Sequence, residues 1–136
     1  MNEKKKVLIN YRIEQAEQAI EDAVILINKS GSPRSVINRA YYGMFYAVLA
    51  LLVKIEKGTS KHSGAIGLFD AEFVRKRIFP KEMSQSLHKA FNLRQMSDYR
   101  ELAEVSVEDA RNVLQEAMEF ISEVKEYILS EMSSKE

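Results

Sequence analysis

The stretch NLRQMSDYREL (residues 92–102) brings together side chains that could bind an anion. Arg94 and Asp98 are four residues apart, so on a helix they share one face and can form an ion pair. The carboxylate could instead hold the planar guanidinium in position for a phosphate. Tyr99 follows directly and could donate a hydrogen bond to a phosphate oxygen. The sequence leaves both interpretations open, a charged pair at a helix surface or part of a phosphate-binding site.

The chain contains two histidines, and their positions favour different roles. His62 follows Lys61 at the predicted start of a helix, where the two side chains could contact a phosphate. The His62 ring could equally cap its own helix or bond a backbone carbonyl. His88 precedes Arg94 by six residues and lies about 120° away from it around the helix. We therefore expect a structural role for His88.

Arg39 is a charged residue inside an otherwise apolar segment, directly before AYYGMFYA. A charge in such a segment must be paired or reach water. One interpretation pairs Arg39 with Asp70 or Asp98 across the helices. The other places Arg39 and Tyr42 in the same groove as Arg94. The aromatic residues that follow are predicted to form core or an interface between copies: Tyr41, Tyr42, Phe45 and Tyr46.

Composition excludes several other kinds of site. The 136 residues contain no cysteine, so disulfides and thiolate metal ligands are absent. Two histidines do not make a convincing zinc site, and there is no glycine-rich phosphate loop. The helical glutamates lack the Glu-x-x-His pattern of di-iron bundles. We therefore predict no metal and no cofactor.

The net charge is zero but unevenly spread: residues 54–81 carry +4 and residues 101–136 carry −7. Segregated charge of this kind can form a phosphate-binding face or dock a partner, and it can also be a plain solvated surface.

Glycines and prolines divide the chain into long tracts of helical periodicity. They predict helices over residues 3–28, 33–56 and 63–77, a fourth from 81 to about 99–101, and a last helix opened by a capping box of Ser106 and Asp109. Gly31 is predicted to cap the first helix, and Ser32 and Pro33 to begin the second. The expected fold is all-α, an up-and-down four-helix bundle with an additional short helix, in one domain over residues 1–136 with its core at about 11–129.

The second helix contains the longest uncharged apolar run, residues 40–53. Fourteen residues are fewer than the roughly 18–20 that span a bilayer, so we expect a buried core helix and no membrane segment. Gly43 within this run is predicted to allow a close approach of a neighbouring helix.

The N-terminus does not resemble a secretory signal, and the absence of cysteine fits a reducing compartment, so we expect a cytoplasmic protein.

Three segments in this order, SVINRAYYGMFYAVLALL, KHSGAIGLFDAEFV and LRQMSDYREL, resemble the HEPN family, in particular its small archaeal and bacterial members of the UPF0332 type. The resemblance implies a helical homodimer, often paired with a minimal nucleotidyltransferase as a toxin–antitoxin system. Active members are metal-independent ribonucleases, whose motif is an arginine, then four to six intervening residues, then a histidine. Arg94 matches this arginine, but Tyr99 stands where the histidine is expected.

The change from histidine to tyrosine is chemically serious. Histidine titrates near pH 6.5 and tyrosine near pH 10, so an unperturbed tyrosine is a poor base at neutral pH. We therefore predict a protein that binds nucleotide or RNA in a dimer cleft, with catalysis doubtful. One alternative is a toxin ribonuclease that uses Arg94 and another group in place of histidine, and a second is a purely structural interaction module. The candidate site residues are Arg94, Asp98, Tyr99, Arg39, Tyr42, Lys61 and His62.

Overall fold

The computed structural model describes residues 2–98 and 105–134. Helix α1 spans Glu3–Asn28, α2 Pro33–Lys54, α3 His62–Phe69, α4 Lys81–Asp98 and α5 Val107–Ser134, and a π-helical turn, Asp70–Val74, continues α3. No strand occurs in these residues. The all-α prediction with five helices is therefore confirmed, while the up-and-down order of a four-helix bundle stays a prediction.

The link between α1 and α2 ends α1 and begins α2 as predicted. The Ser32 side chain accepts a hydrogen bond from a backbone N–H of the first turn, and Pro33 is the first helical residue. The Gly31 N–H donates to the Leu26 carbonyl at 2.6 Å, so the predicted capping of α1 by Gly31 is confirmed, and the residue with left-handed backbone in this link is Ser30, with φ of 59°. Glycine is needed at 31 for space, because a Cβ there would lie 2.9 Å from the Leu26 carbonyl oxygen.

The third helix lies where it was predicted, but it changes type after Phe69. The Arg75 N–H donates to the Asp70 carbonyl at 2.9 Å, an i→i+5 bond that accommodates one extra residue. The Phe69 and Phe73 rings stack on each other with centroids 6.1 Å apart, and both are buried. The π-helical turn thus keeps both rings in the core.

The start of α5 confirms the predicted capping box. The Ser106 hydroxyl accepts from the Asp109 N–H at 3.0 Å, and the Asp109 carboxylate accepts from the Ser106 N–H at 3.2 Å.

Helix α2 forms the centre of the core and packs against α1, α3, α4 and α5. A Cβ on Gly43 would lie 3.0 Å from Ile20 Cδ1 in α1 and 3.1 Å from Ile121 Cδ1 in α5, so the predicted close approach is confirmed. Among the described residues, α2 is the one helix long and apolar enough to cross a membrane, but 67% of its apolar window is buried inside the protein. That burial is what a core helix shows.

Many of the segregated charges join one element to another. In α5, the Glu131 carboxylate lies 3.0 Å from Lys54 Nζ of α2. The Glu116 carboxylate of α5 lies 2.9 Å from Lys89 Nζ of α4. Hydrogen bonds from Lys76 and Lys57 lower the pKa of Glu72, which lies in the π-helical turn. Part of the charge pattern therefore serves the packing of the helices.

Candidate functional site

Arg94 of α4 lies over two tyrosine rings of α2. One of its terminal nitrogens donates a hydrogen bond to the Tyr42 hydroxyl at 3.2 Å. Its guanidinium carbon is 5.1 Å from the centroid of the Tyr42 ring and 5.5 Å from that of Tyr41. At these distances a cation is attracted by the ring faces. The rings thereby fix the position of a half-buried guanidinium at the surface between α2 and α4.

Arg39 contacts the same ring. Its guanidinium carbon is 5.1 Å from the Tyr42 centroid, and two of its nitrogens donate to Asn38 Oδ1 at 3.3 and 3.1 Å. The predicted pairing of Arg39 with Asp70 is wrong, because Asp70 is held at α4 by other partners and Arg39 bonds its own neighbour on α2. The structure does bring Arg39, Tyr42 and Arg94 together, and we call these three residues the arginine–tyrosine cluster.

The second histidine, His88, is bonded to Asp70. Its carboxylate accepts a hydrogen bond from the Ser84 hydroxyl at 2.6 Å, and its other oxygen lies 2.6 Å from His88 Nε2. Both contacts join the π-helical turn to α4. The structural role predicted for His88 is confirmed.

His62 lies beside the arginine–tyrosine cluster and is held by α2. Its Nδ1 is 2.8 Å from the Tyr41 hydroxyl, and its ring stacks on Phe45 with centroids 4.0 Å apart and planes inclined by 8°. The ring also meets the Tyr42 ring edge-on at 5.7 Å. Both structural alternatives for His62, a helix cap and a bond to a backbone carbonyl, are wrong, because the start of α3 packs against α2 and a tyrosine hydroxyl lies within reach.

The surroundings of this pair keep both groups uncharged. Burial and the positive charge of Arg94 lower the pKa of His62. Burial raises the pKa of Tyr41, an effect that Arg94 opposes and Tyr42 reinforces. At neutral pH the imidazole and the phenol are therefore both neutral.

The buried phenol also determines where the His62 proton lies. Tyr41 is fully buried, and among the described residues its hydroxyl has one hydrogen-bond partner, Nδ1 of His62. A buried O–H left without an acceptor is costly, so we assign Tyr41 as the donor and Nδ1 as the acceptor. The ring proton then belongs to Nε2. In this tautomer Nε2 can donate a hydrogen bond to an anion but cannot accept a proton.

The remaining candidates lie apart from this arrangement. Lys61 is exposed, and its side chain forms no hydrogen bond, ion pair or ring contact with the cluster in the described part of the chain. The Asp98 side chain and Tyr99 lie outside the described residues. Within residues 2–98 and 105–134, no group of three or more His, Asp or Glu side chains is placed to hold a metal ion.

Sequence reasoning missed the part that Tyr41, Phe45 and Asn38 play around the cluster. The burial predicted for Tyr41 and Phe45 is confirmed. What positions His62 on them is the packing of α3 against α2, and the sequence carries no signal for that contact. Asn38 could have been found, because it lies four residues before Tyr42 on the same helix face.

Comparison with known proteins gives the family. The model of the HEPN domain matches residues 9–127, so the chain belongs to the HEPN domain family, and the predicted resemblance is confirmed. Within it, the chain is 35% identical over 128 residues to a UPF0332 protein of Thermotoga maritima, covering 94% of this chain and 96% of that protein. It is also 35% identical over 118 residues to a Methanocaldococcus jannaschii protein named "Putative toxin", covering 87% of this chain and 80% of that protein.

Proposed function

We propose that this chain is a toxin-type HEPN protein whose arginine–tyrosine cluster binds phosphate groups of a nucleotide or RNA. The observation that carries the proposal is the pair of guanidinium groups on the half-buried Tyr42 ring, each 5.1 Å from its centroid. Two cations held within about 10 Å of each other repel, and a phosphate between them removes that repulsion. Guanidinium groups also match phosphate oxygens in geometry.

Membership of the HEPN family supports the biological setting that we propose. The names of the M. jannaschii relatives support a toxin-type role. We propose a cytoplasmic homodimer in which two copies of the cluster face one cleft, with a minimal nucleotidyltransferase as partner. A monomeric mass by light scattering at tens of micromolar would contradict the dimer.

We expect binding without efficient cleavage. Tyr99 stands at the position of the motif histidine, and the tautomer assigned to His62 supplies a hydrogen-bond donor where cleavage needs a base. Neutral His62, with its proton on Nε2, would then add a hydrogen bond to the phosphate contact made by Arg94, whose guanidinium the Asp98 carboxylate would hold in position. In this proposal Tyr99 donates a further hydrogen bond to the ligand.

The test measures binding and cleavage on the same samples. Labelled RNA is incubated with the protein and EDTA, and nucleotide binding is followed by calorimetry. We expect intact RNA, measurable binding, and loss of binding in Arg94→Ala. Arg75→Ala removes an exposed arginine of the same charge away from the cluster and is the matched control. Equal binding by wild type, Arg94→Ala and Arg75→Ala would refute the proposed site.

A metal-independent ribonuclease is the second candidate, and the position of His62 beside the arginine–tyrosine cluster favours it. The 2′-hydroxyl would attack the adjacent phosphorus, giving up its proton to a base, and the 5′-oxygen would leave with a proton from water. For His62 to be that base, its ring proton must move to Nδ1. Cleavage in EDTA that both His62→Gln and Arg94→Ala abolish would establish this candidate over simple binding.

A further inference from the structure

A cavity of about 480 Å³ opens at the start of α2, next to the Arg39 end of the arginine–tyrosine cluster. Two guanidinium groups, two hydroxyls, one amide and one leucine line it, and no carboxylate is among them: Leu26, Ser32, Arg34, Ser35, Asn38 and Arg39. Guanidinium and hydroxyl donors without a neighbouring acid are suited to phosphate oxygens. The volume lies in the range of small-ligand sites.

Within residues 2–98 and 105–134, no acidic side chain that the structure describes pairs with the arginines of this cavity. In the part of the chain that the structure describes, neither Arg34 nor Arg39 forms an ion pair, and the Arg39 guanidinium bonds only the neutral Asn38 amide oxygen. By contrast, six lysines elsewhere pair with glutamates: Lys5, Lys54, Lys57, Lys76, Lys89 and Lys125. The cavity is therefore a place where an external anion would meet uncompensated guanidinium groups.

One face of α2 connects the cavity to Arg94. Ser35, Asn38, Arg39 and Tyr42 follow the spacing i, i+3, i+4 and i+7, so they form a single stripe along the helix. From Ser35 to Tyr42 the stripe rises about 10 Å. The Tyr42 ring contacts both guanidinium groups, that of Arg39 from α2 itself and that of Arg94 from α4. Phosphate contacts at Arg94 and in the cavity would thus belong to one continuous surface.

We infer that this stripe of α2 binds the phosphodiester backbone of a single-stranded oligonucleotide, with one phosphate at the arginine–tyrosine cluster and another in the cavity at Arg34. The inference rests on the proposed function and narrows its ligand from a nucleotide or RNA in general to a single-stranded oligonucleotide. A mononucleotide carries its charge at one end and cannot occupy both places. A basic track with an aromatic ring along it is how proteins hold single strands.

Arg34 is the residue that tests the inference, because it is exposed and lies in the cavity but outside the arginine–tyrosine cluster. Binding of a fluorescent oligouridylate of about twelve nucleotides is measured by anisotropy at several salt concentrations, and binding of uridine monophosphate by calorimetry. In Arg34→Gln we expect roughly 3- to 10-fold weaker oligonucleotide binding and a salt slope smaller by about 0.7, with unchanged mononucleotide binding. Arg34→Lys should retain most of the salt slope.

Two control variants separate the possible failures. Arg75→Gln removes one exposed arginine elsewhere and should leave affinity and salt slope close to wild type. If Arg34→Gln behaves like Arg75→Gln while Arg94→Ala still weakens binding, the inference is overturned and the proposed function stands. If wild type binds neither probe, both are overturned. An oligothymidylate of equal length distinguishes RNA from DNA, and in either case the inference requires that Arg34→Gln weaken the strand that binds.

Discussion

The Tyr41 hydroxyl lies 2.8 Å from Nδ1 of His62, and this hydrogen bond joins the central helix to the start of α3. The imidazole also stacks on the Phe45 ring, so residues of α2 determine both the position of the imidazole and the nitrogen that carries its proton. A histidine fixed in this way donates from Nε2. The hydrogen bond from Tyr41 that holds His62 beside the arginine–tyrosine cluster thus makes His62 a poor base.

Tyr41→Phe should free the histidine. Removing the hydroxyl deletes the hydrogen bond, and we expect a loss of about 1 kcal/mol in the free energy of unfolding. The ring proton should then distribute between the two nitrogens, which nitrogen NMR of the imidazole measures directly. Tyr46→Phe is the control, because the Tyr46 hydroxyl makes no hydrogen bond among the described residues. A wild-type spectrum with the proton on Nδ1 would show that our tautomer is wrong.

Stability should depend on pH through His62. Its pKa in the folded protein is lowered by burial and by Arg94, whereas in the unfolded chain it is near 6.5. Below pH 6.5 the unfolded chain therefore binds more protons than the folded one, and stability falls as the pH drops toward the folded pKa. Above pH 6.5 the contribution of His62 is constant. Denaturant unfolding of wild type and His62→Gln between pH 5 and 8 should show the steeper fall in stability in wild type, and the difference between the two profiles measures the contribution of His62.

A bound phosphate should raise the pKa of His62 part of the way back toward its ordinary value. An anion near Nε2 favours the charged imidazole, so the pKa of His62 should rise when the ligand binds. Proton NMR titration of the His62 ring with and without uridine monophosphate measures the change. An unchanged titration curve at saturating nucleotide would place the ligand away from His62.

Gly43 should tolerate alanine but not a larger side chain. An alanine Cβ would meet Ile20 Cδ1 at 3.0 Å and Ile121 Cδ1 at 3.1 Å, which are the mobile ends of two side chains bordering an open groove. The strain is offset by the better helix propensity of alanine, worth about 1 kcal/mol. We expect Gly43→Ala within about 1 kcal/mol of wild type and Gly43→Leu destabilised by roughly 1–3 kcal/mol, measured by urea unfolding. Equal stability of both variants would contradict the close approach.

Asp70→Asn should weaken the contact between the π-helical turn and α4. The carboxylate bonds both Ser84 and His88, and a charged acceptor contributes about 1.5–3 kcal/mol per buried bond, less here because the pair is partly exposed. We expect a lower free energy of unfolding with unchanged RNA affinity. The conservative Glu72→Gln, in the same turn but bonded only to lysines, is the comparison for stability. A loss of RNA binding in Asp70→Asn would mean that His88 belongs to the site.

Helix positions could be predicted from sequence where the pattern is local. The bounds of α1 agree with the prediction because its apolar residues recur without interruption between clear start and stop signals. The π-helical turn could not be predicted, since its extra residue is selected by the packing of Phe69 and Phe73 against Phe79. Composition does not record that packing.

In the candidate site too, contacts within one helix could be predicted from the sequence, whereas contacts between helices could not. Arg39 and Tyr42 are three residues apart on one helix, so their proximity follows from helical geometry. Arg94 meets them through the packing of α4 on α2, and the sequence offered this shared groove only as one of two interpretations of Arg39. The contact between Tyr41 and His62 joins residues 21 apart across a loop, and its geometry depends on how α3 is placed.

Helix α2 carries both the centre of the core and the polar stripe. A surface built on such a buried helix cannot rearrange around a ligand without disturbing the core. In binding a nucleic-acid strand as inferred above, the protein would therefore contribute a preformed shape and lose little conformational freedom. The loss of freedom would then fall on the nucleic acid, so selectivity would be set by how easily a given sequence leaves its own stacked or paired structure.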